Sequence, residues 1–130
     1  MGVTWQAVRA ALKFPRRINV ELTNHCNQRC VLCPRQAFTR PLGFMEGSVF
    51  ERIVAECAGE DTALWLHFLG EPLLHPGAAA LVARAKAAGV RQVGLSTNGV
   101  SLAGERAEAL LRAGPDRLEC SMDAIDREAV

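Results

Sequence analysis

Ala63-Leu64-Trp65-Leu66-His67-Phe68-Leu69-Gly70-Glu71-Pro72 is the stretch on which the fold turns. An almost unbroken apolar run that stops at glycine, a carboxylate and proline predicts a strand over residues 63–69 covered on both faces, which is the pattern of a parallel sheet. Downstream, Leu81, Val82 and Ala85 form the apolar stripe of a helix with Lys86 in its last turn and Gly89 as its stop. A further strand spans residues 90–96 and ends in Thr97-Asn98-Gly99. A helix over 101–113 closes at Gly114-Pro115, and a strand follows over 117–122.

Upstream, Ile18, Val20 and Leu22 alternate with polar residues and predict the first strand, ended by Thr23-Asn24. A long connection over residues 34–47 leads to a helix. There, Ser48 and Glu51 are spaced as a capping box, and Val49, Phe50, Ile53, Val54 and Cys57 supply an apolar face closed near Gly59. The order β-α-β-α-β-α-β predicts an α/β fold with parallel strands. Residues 126–130 read as the first turn of another helix. A four-stranded sheet ended there exposes two edges, so a 130-residue chain is expected to be part of a longer protein and to self-associate on its own.

In such sheets ligands bind at the C-terminal ends of the strands. Directly after the first strand the chain reads Asn24-His25-Cys26-Asn27-Gln28-Arg29-Cys30-Val31-Leu32-Cys33-Pro34. Three thiolates fill three corners of a metal site and leave one position open, as chemistry rather than structure requires. Cys57 lies on an apolar helix face, and Cys120 alternates with Leu118 and Met122, so both read as small buried hydrophobes. Other readings of the loop are a zinc site that adds His25, a redox pair of Cys30 and Cys33, and independent thiols. His25 and Cys26, as neighbours, have difficulty reaching one ion together, and the redox pair leaves Cys26 without a role.

The Cys-x3-Cys-x2-Cys spacing resembles that of the radical S-adenosylmethionine (radical SAM) enzymes, and the likeness extends over residues 18–123. Leu69-Gly70-Glu71-Pro72 resembles the family's Gly-Glu-Pro segment, Thr97-Asn98-Gly99 its third-strand motif, and Ser121-Met122-Asp123 its fourth-strand motif. The resemblance implies a (β/α) partial TIM-like barrel, truncated after about the fourth strand, with a helical extension over 1–17 and the N-terminal half of the core domain over 18–130. It implies that Cys26, Cys30 and Cys33 hold a four-iron four-sulfur (4Fe-4S) cluster whose open iron chelates S-adenosylmethionine. Gly70 and Glu71 would then hold the cofactor's amino group, Thr97 would lie near the ribose, and Ser121 would bind the carboxylate. Leu32 stands where many members carry an aromatic residue, and would offer its backbone to adenine.

The implied reaction is reductive cleavage of the cofactor to methionine and a 5′-deoxyadenosyl radical, which abstracts hydrogen from an unknown substrate. A low-potential donor of flavodoxin or ferredoxin type would supply the electron. The alternatives are a zinc-binding interaction module and a cluster-carrying fragment without activity. His67 and His75 read as structural, His25 as a group that tunes the cluster, and Arg35 and Arg40 as solvated loop charges.

Composition narrows the partners. With 49% hydrophobic and 22% charged residues the chain is ordinary globular material, and a net charge of +1 offers no electrostatic case for nucleic acid or an acidic membrane. No run has the length of a membrane span or the apolar centre of a secretion signal, and an odd number of clustered cysteines suits the reducing cytoplasm.

Overall fold

The computed structural model describes Thr4, Val8 and residues 14–122. The N-terminal helix expected from the sequence therefore lies almost wholly outside the described residues, as do Asp123 and the helical turn expected over 126–130.

Four strands form one parallel sheet in sequential order: β1 (Arg17–Asn19), β2 (Ala63–Leu66), β3 (Gln92–Thr97) and β4 (Arg117–Cys120). Between them run the helices α1 (Gly47–Cys57), α2 (Ala78–Ala87) and α3 (Gly104–Ala113). The architecture is the α/β, parallel-stranded arrangement expected of a partial (β/α) barrel.

The apolar runs explain the layers. Leu64, Leu66, Val93 and Leu95 are fully buried beside Phe50, Val54, Cys57, Val82, Ala85 and Leu110 of the helices. Burial of one such side chain contributes about 1.5–3 kcal/mol. By strand alternation Asn19, Trp65, Ser96 and Glu119 take the opposite face. Trp65 is only 2% exposed there. Its indole lies under the Arg17 guanidinium, 4.3 Å from the ring centroid, and its Nε1 donates to Ser96 Oγ at 2.8 Å. The ring rests on Gly94, where a Cβ would collide with it.

Several local expectations change. No capping box forms on α1. Glu46 is the N-cap, and Glu51 instead pairs with Arg84 of α2, so Ser48 sits within the first turn. Val49 is exposed rather than part of the apolar face. α3 begins at Gly104, because a turn in which Leu102 N donates to Gly99 O precedes it. Cys120 is exposed, since it lies on β4, which has no second neighbouring strand among the described residues.

The chain that continues beyond β1 is covered at its outer edge. The connection folds back so that Thr23 and Phe44 form an antiparallel bridge and Met45 N donates to Leu22 O at 2.8 Å. Asn24 fastens this strap at both ends: its Nδ2 donates to Pro41 O at 2.8 Å, and its Oδ1 accepts from Gly43 N at 2.7 Å.

Candidate cofactor site

Cys26, Cys30 and Cys33, all half-buried, line one cleft at the C-terminal end of the sheet, together with His67, Gly70, Glu71, Thr97, Asn98 and Ser121. Its volume is about 130 Å³. Larger cavities lie elsewhere, among them one between α2 and α3 and one along β1 and the strap, and neither of these touches a thiol of the loop. The cleft is thus where soft, thiolate-forming donors meet the strand ends.

The cysteine loop is held from several sides. Arg35 donates to Gln28 O at 3.1 Å, Cys33 N donates to Cys30 O at 3.0 Å, and Glu71 N donates to His25 O at 2.7 Å. Arg40 pairs with Glu21 at 2.6 Å, and Glu21 also accepts from Leu69 N. Arg35 is thus a half-buried tie of the loop rather than a solvated charge, while Arg40 remains exposed with its charge paired. Among the described residues no three Cys, His, Asp or Glu side chains already converge on a metal position.

Gly70 sits where the loop crosses the end of β2, and a Cβ there would lie 2.7 Å from the Thr23 carbonyl carbon and 2.9 Å from Asn24 Cα. Its lack of a side chain lets two backbones touch. Glu71 lines the cleft but is only 2% exposed, and its carboxylate is taken up by protein donors. Its Oε1 accepts from Leu73 N at 3.0 Å and from Thr97 Oγ1 at 2.7 Å, and its Oε2 accepts from Asn98 N at 2.7 Å. The carboxylate assigned to the cofactor's ammonium is committed to three protein donors, and the Thr97 hydroxyl assigned to the ribose is bonded to it. Ser121 remains near the cleft mouth, its hydroxyl 3.4 Å from Thr97 O.

Leu32 does not reach the cleft and is 89% exposed. His25 stacks on Phe44 with centroids 4.7 Å apart, on the strap rather than among the lining side chains. His75 is structural as expected. Its Nδ1 accepts from Gly77 N at 3.0 Å, which fixes the tautomer and leaves Nε2–H to donate to Met45 O at 3.1 Å.

His67, read from the sequence as structural, lines the cleft. It follows Trp65 by two, so period-two alternation carries it to the same face and into the cleft. Burial, reinforced by Arg17, lowers its pKa below the usual histidine value and favours the neutral ring.

The model of the radical SAM superfamily matches residues 20–130. The chain is 36% identical over 115 residues to a GTP 3′,8-cyclase of Chlorobaculum tepidum, covering 85% of this chain and 34% of that protein. It is 33% identical over 108 residues to the tungsten-containing aldehyde ferredoxin oxidoreductase cofactor-modifying protein of Pyrococcus furiosus, covering 82% and 30%. The chain spans about a third of the length of these relatives. Among solved structures, BtrN in complex with AdoMet and 2-DOIA superposes with a TM-score of 0.73 at 23% identity, over 90% of this chain and 51% of that one, which is a likeness of fold. Motifs at the strand ends, a parallel α/β sheet and the family match agree: the chain belongs to the radical SAM superfamily.

Proposed function

We propose that residues 18–130 form the N-terminal part of a radical SAM core in which Cys26, Cys30 and Cys33 hold a 4Fe-4S cluster and the adjoining strand ends hold S-adenosylmethionine. Members of the superfamily use both groups. The observation that carries the assignment is the cleft itself, which joins all three thiols to Gly70, Thr97 and Ser121. The donor set fits the cluster: three soft thiolates leave one iron free to chelate a cofactor.

Such a pair of groups, held there by Cys26, Cys30, Cys33 and the strand ends, would supply one-electron reductive chemistry leading to hydrogen abstraction. The chain's own contribution is placement. The backbone at Gly70 and Ser121 Oγ are the groups we assign to the cofactor's amino and carboxylate ends. Glu71 and Thr97 act as a brace that fixes the strand ends around it, and Leu32, on the rim, would contact adenine only if the loop folds inward on the cluster. A reductant is required, and a flavodoxin- or ferredoxin-like donor in the cytoplasm suits a cluster of this kind. No helix among the described residues is long and apolar enough to cross a membrane.

The full-length protein, reconstituted anaerobically and reduced, should convert S-adenosylmethionine to 5′-deoxyadenosine, read by chromatography. A protein that loads a reducible cluster and yields none would be a cluster carrier rather than an enzyme. A colourless protein with stoichiometric zinc would be the interaction module.

A further inference from the structure

We infer that Asn98 is a positioning residue for Cys26, one whose side-chain amide donates to the sulfur and raises the reduction potential of the cluster. The inference rests on the assignment of the cluster to the three cysteines.

Asn98 is held at both of its other polar groups. Its backbone N–H donates to the buried Glu71 Oε2 at 2.7 Å, and its Oδ1 accepts from Val100 N at 3.1 Å in an Asx turn that Gly99 completes with φ +79°. The Val100 donor settles which end of the amide is oxygen, so the NH2 group must face the other way. There Nδ2 lies 2.7 Å from Asn27 Oδ1 and 3.8 Å from Cys26 Sγ. A second donor, Gln28 N, approaches the same sulfur at 3.5 Å. Cys30 is placed differently, with its sulfur 3.9 Å from an acceptor, Gln28 Oε1. Two donors thus approach Cys26, and one of them comes from the end of β3, where Glu71 holds the Asn98 backbone.

Hydrogen bonds to cluster sulfurs are among the determinants of potential, because they stabilise the more negative, reduced state more than the oxidised one. Loss of the Asn98 donor should lower the potential. Asn98→Asp keeps an oxygen for the Val100 N–H, and so keeps the turn, while it replaces the donor with negative charge. Asn98→Ala removes both. Ser101 accepts from Asn27 Nδ2 at 3.3 Å at the periphery, so Ser101→Ala serves as the control that leaves the sulfur untouched.

The test is redox titration of the full-length, reconstituted protein by electron paramagnetic resonance, with iron and sulfide counted in each sample. Expected are full clusters in all four proteins, a lowered potential in N98A, a still lower one in N98D, and no change in S101A. Wild-type potential in a loaded N98D overturns the inference and leaves the cluster assignment standing. Loss of the cluster from both Asn98 variants, with S101A loaded, also overturns it, since Asn98 would then serve assembly rather than tuning. A wild-type protein without iron and sulfide overturns the cluster assignment itself.

Discussion

Gly70 passes so close to Thr23 that the two backbones are in contact, and a Cβ at position 70 would stand 2.7 Å from the Thr23 carbonyl carbon. Both partners are main chain, so neither can swing aside as a flexible side chain would. Gly70→Ala must push the cysteine loop away from the end of β2 and break the bond from Glu71 N to His25 O. Overpacking of this kind costs about 1–3 kcal/mol. Urea denaturation of the variant should show that loss, and cluster uptake should fall with it. Unchanged stability would mean that the loop does not rest on Gly70.

Glu71 and Thr97 should behave as one unit. Thr97→Val removes the bond to Glu71 Oε1 and the acceptor of Gly99 N and is expected to cost about 1–2 kcal/mol, whereas Glu71→Ala strands donors at Leu73, Thr97 and Asn98 and should cost about 3 kcal/mol. In the double variant the cost should fall short of the sum of the two, because the Thr97–Glu71 bond is lost once in both, while the Gly99 bond is lost only with Thr97. A double-mutant cycle by chemical denaturation measures the coupling. Simple additivity would contradict the brace.

Asp116 joins β4 to the start of β3. Lys86 donates to both of its oxygens, at 2.6 and 2.7 Å, and Val93 N donates to Oδ2 at 2.7 Å. The Lys86 bond first, and then the Val93 bond, hold the Asp116 pKa below its ordinary value of 3.8. A depressed carboxylate contributes stability that is present above the unfolded pKa and is lost as pH falls through the folded one. The wild type should therefore lose stability below about pH 4 through this group, and Asp116→Asn should be weaker at pH 7 but show a smaller drop on acidification. Parallel denaturation curves at pH 7 and pH 3 decide it, and equal acid losses in both proteins would remove Asp116 from the account.

The strands were readable because their burial is continuous in sequence: Ala63 to Leu66 and Gln92 to Thr97 need no distant partner to be recognised. What escaped reading depends on contacts between distant residues. Glu51 is spaced for a capping box yet turns to Arg84, which the spacing of Ser48 and Glu51 cannot reveal. The strap from Pro41 to Met45 closes on residues 22–24 through side chains of Thr23 and Asn24 that resemble any turn. A carboxylate at a strand end reads as a ligand group, and only donors 26 and 27 residues away take up that of Glu71. The three site cysteines, by contrast, are local, and the sequence brought them together without help from the fold.

The central claim is that Cys26, Cys30 and Cys33, and no other thiol, hold the cluster. Iron and sulfide analysis of the anaerobically reconstituted full-length protein with each of the five cysteines of this chain replaced by alanine tests it most directly. The account predicts loss of cluster assembly in the Cys26, Cys30 and Cys33 variants. It predicts full iron and sulfide in Cys120→Ala, whose thiol is exposed on β4, and in Cys57→Ala, whose thiol is buried against the helices. Full cluster content without Cys30, or its loss without Cys57 or Cys120, would contradict the assignment.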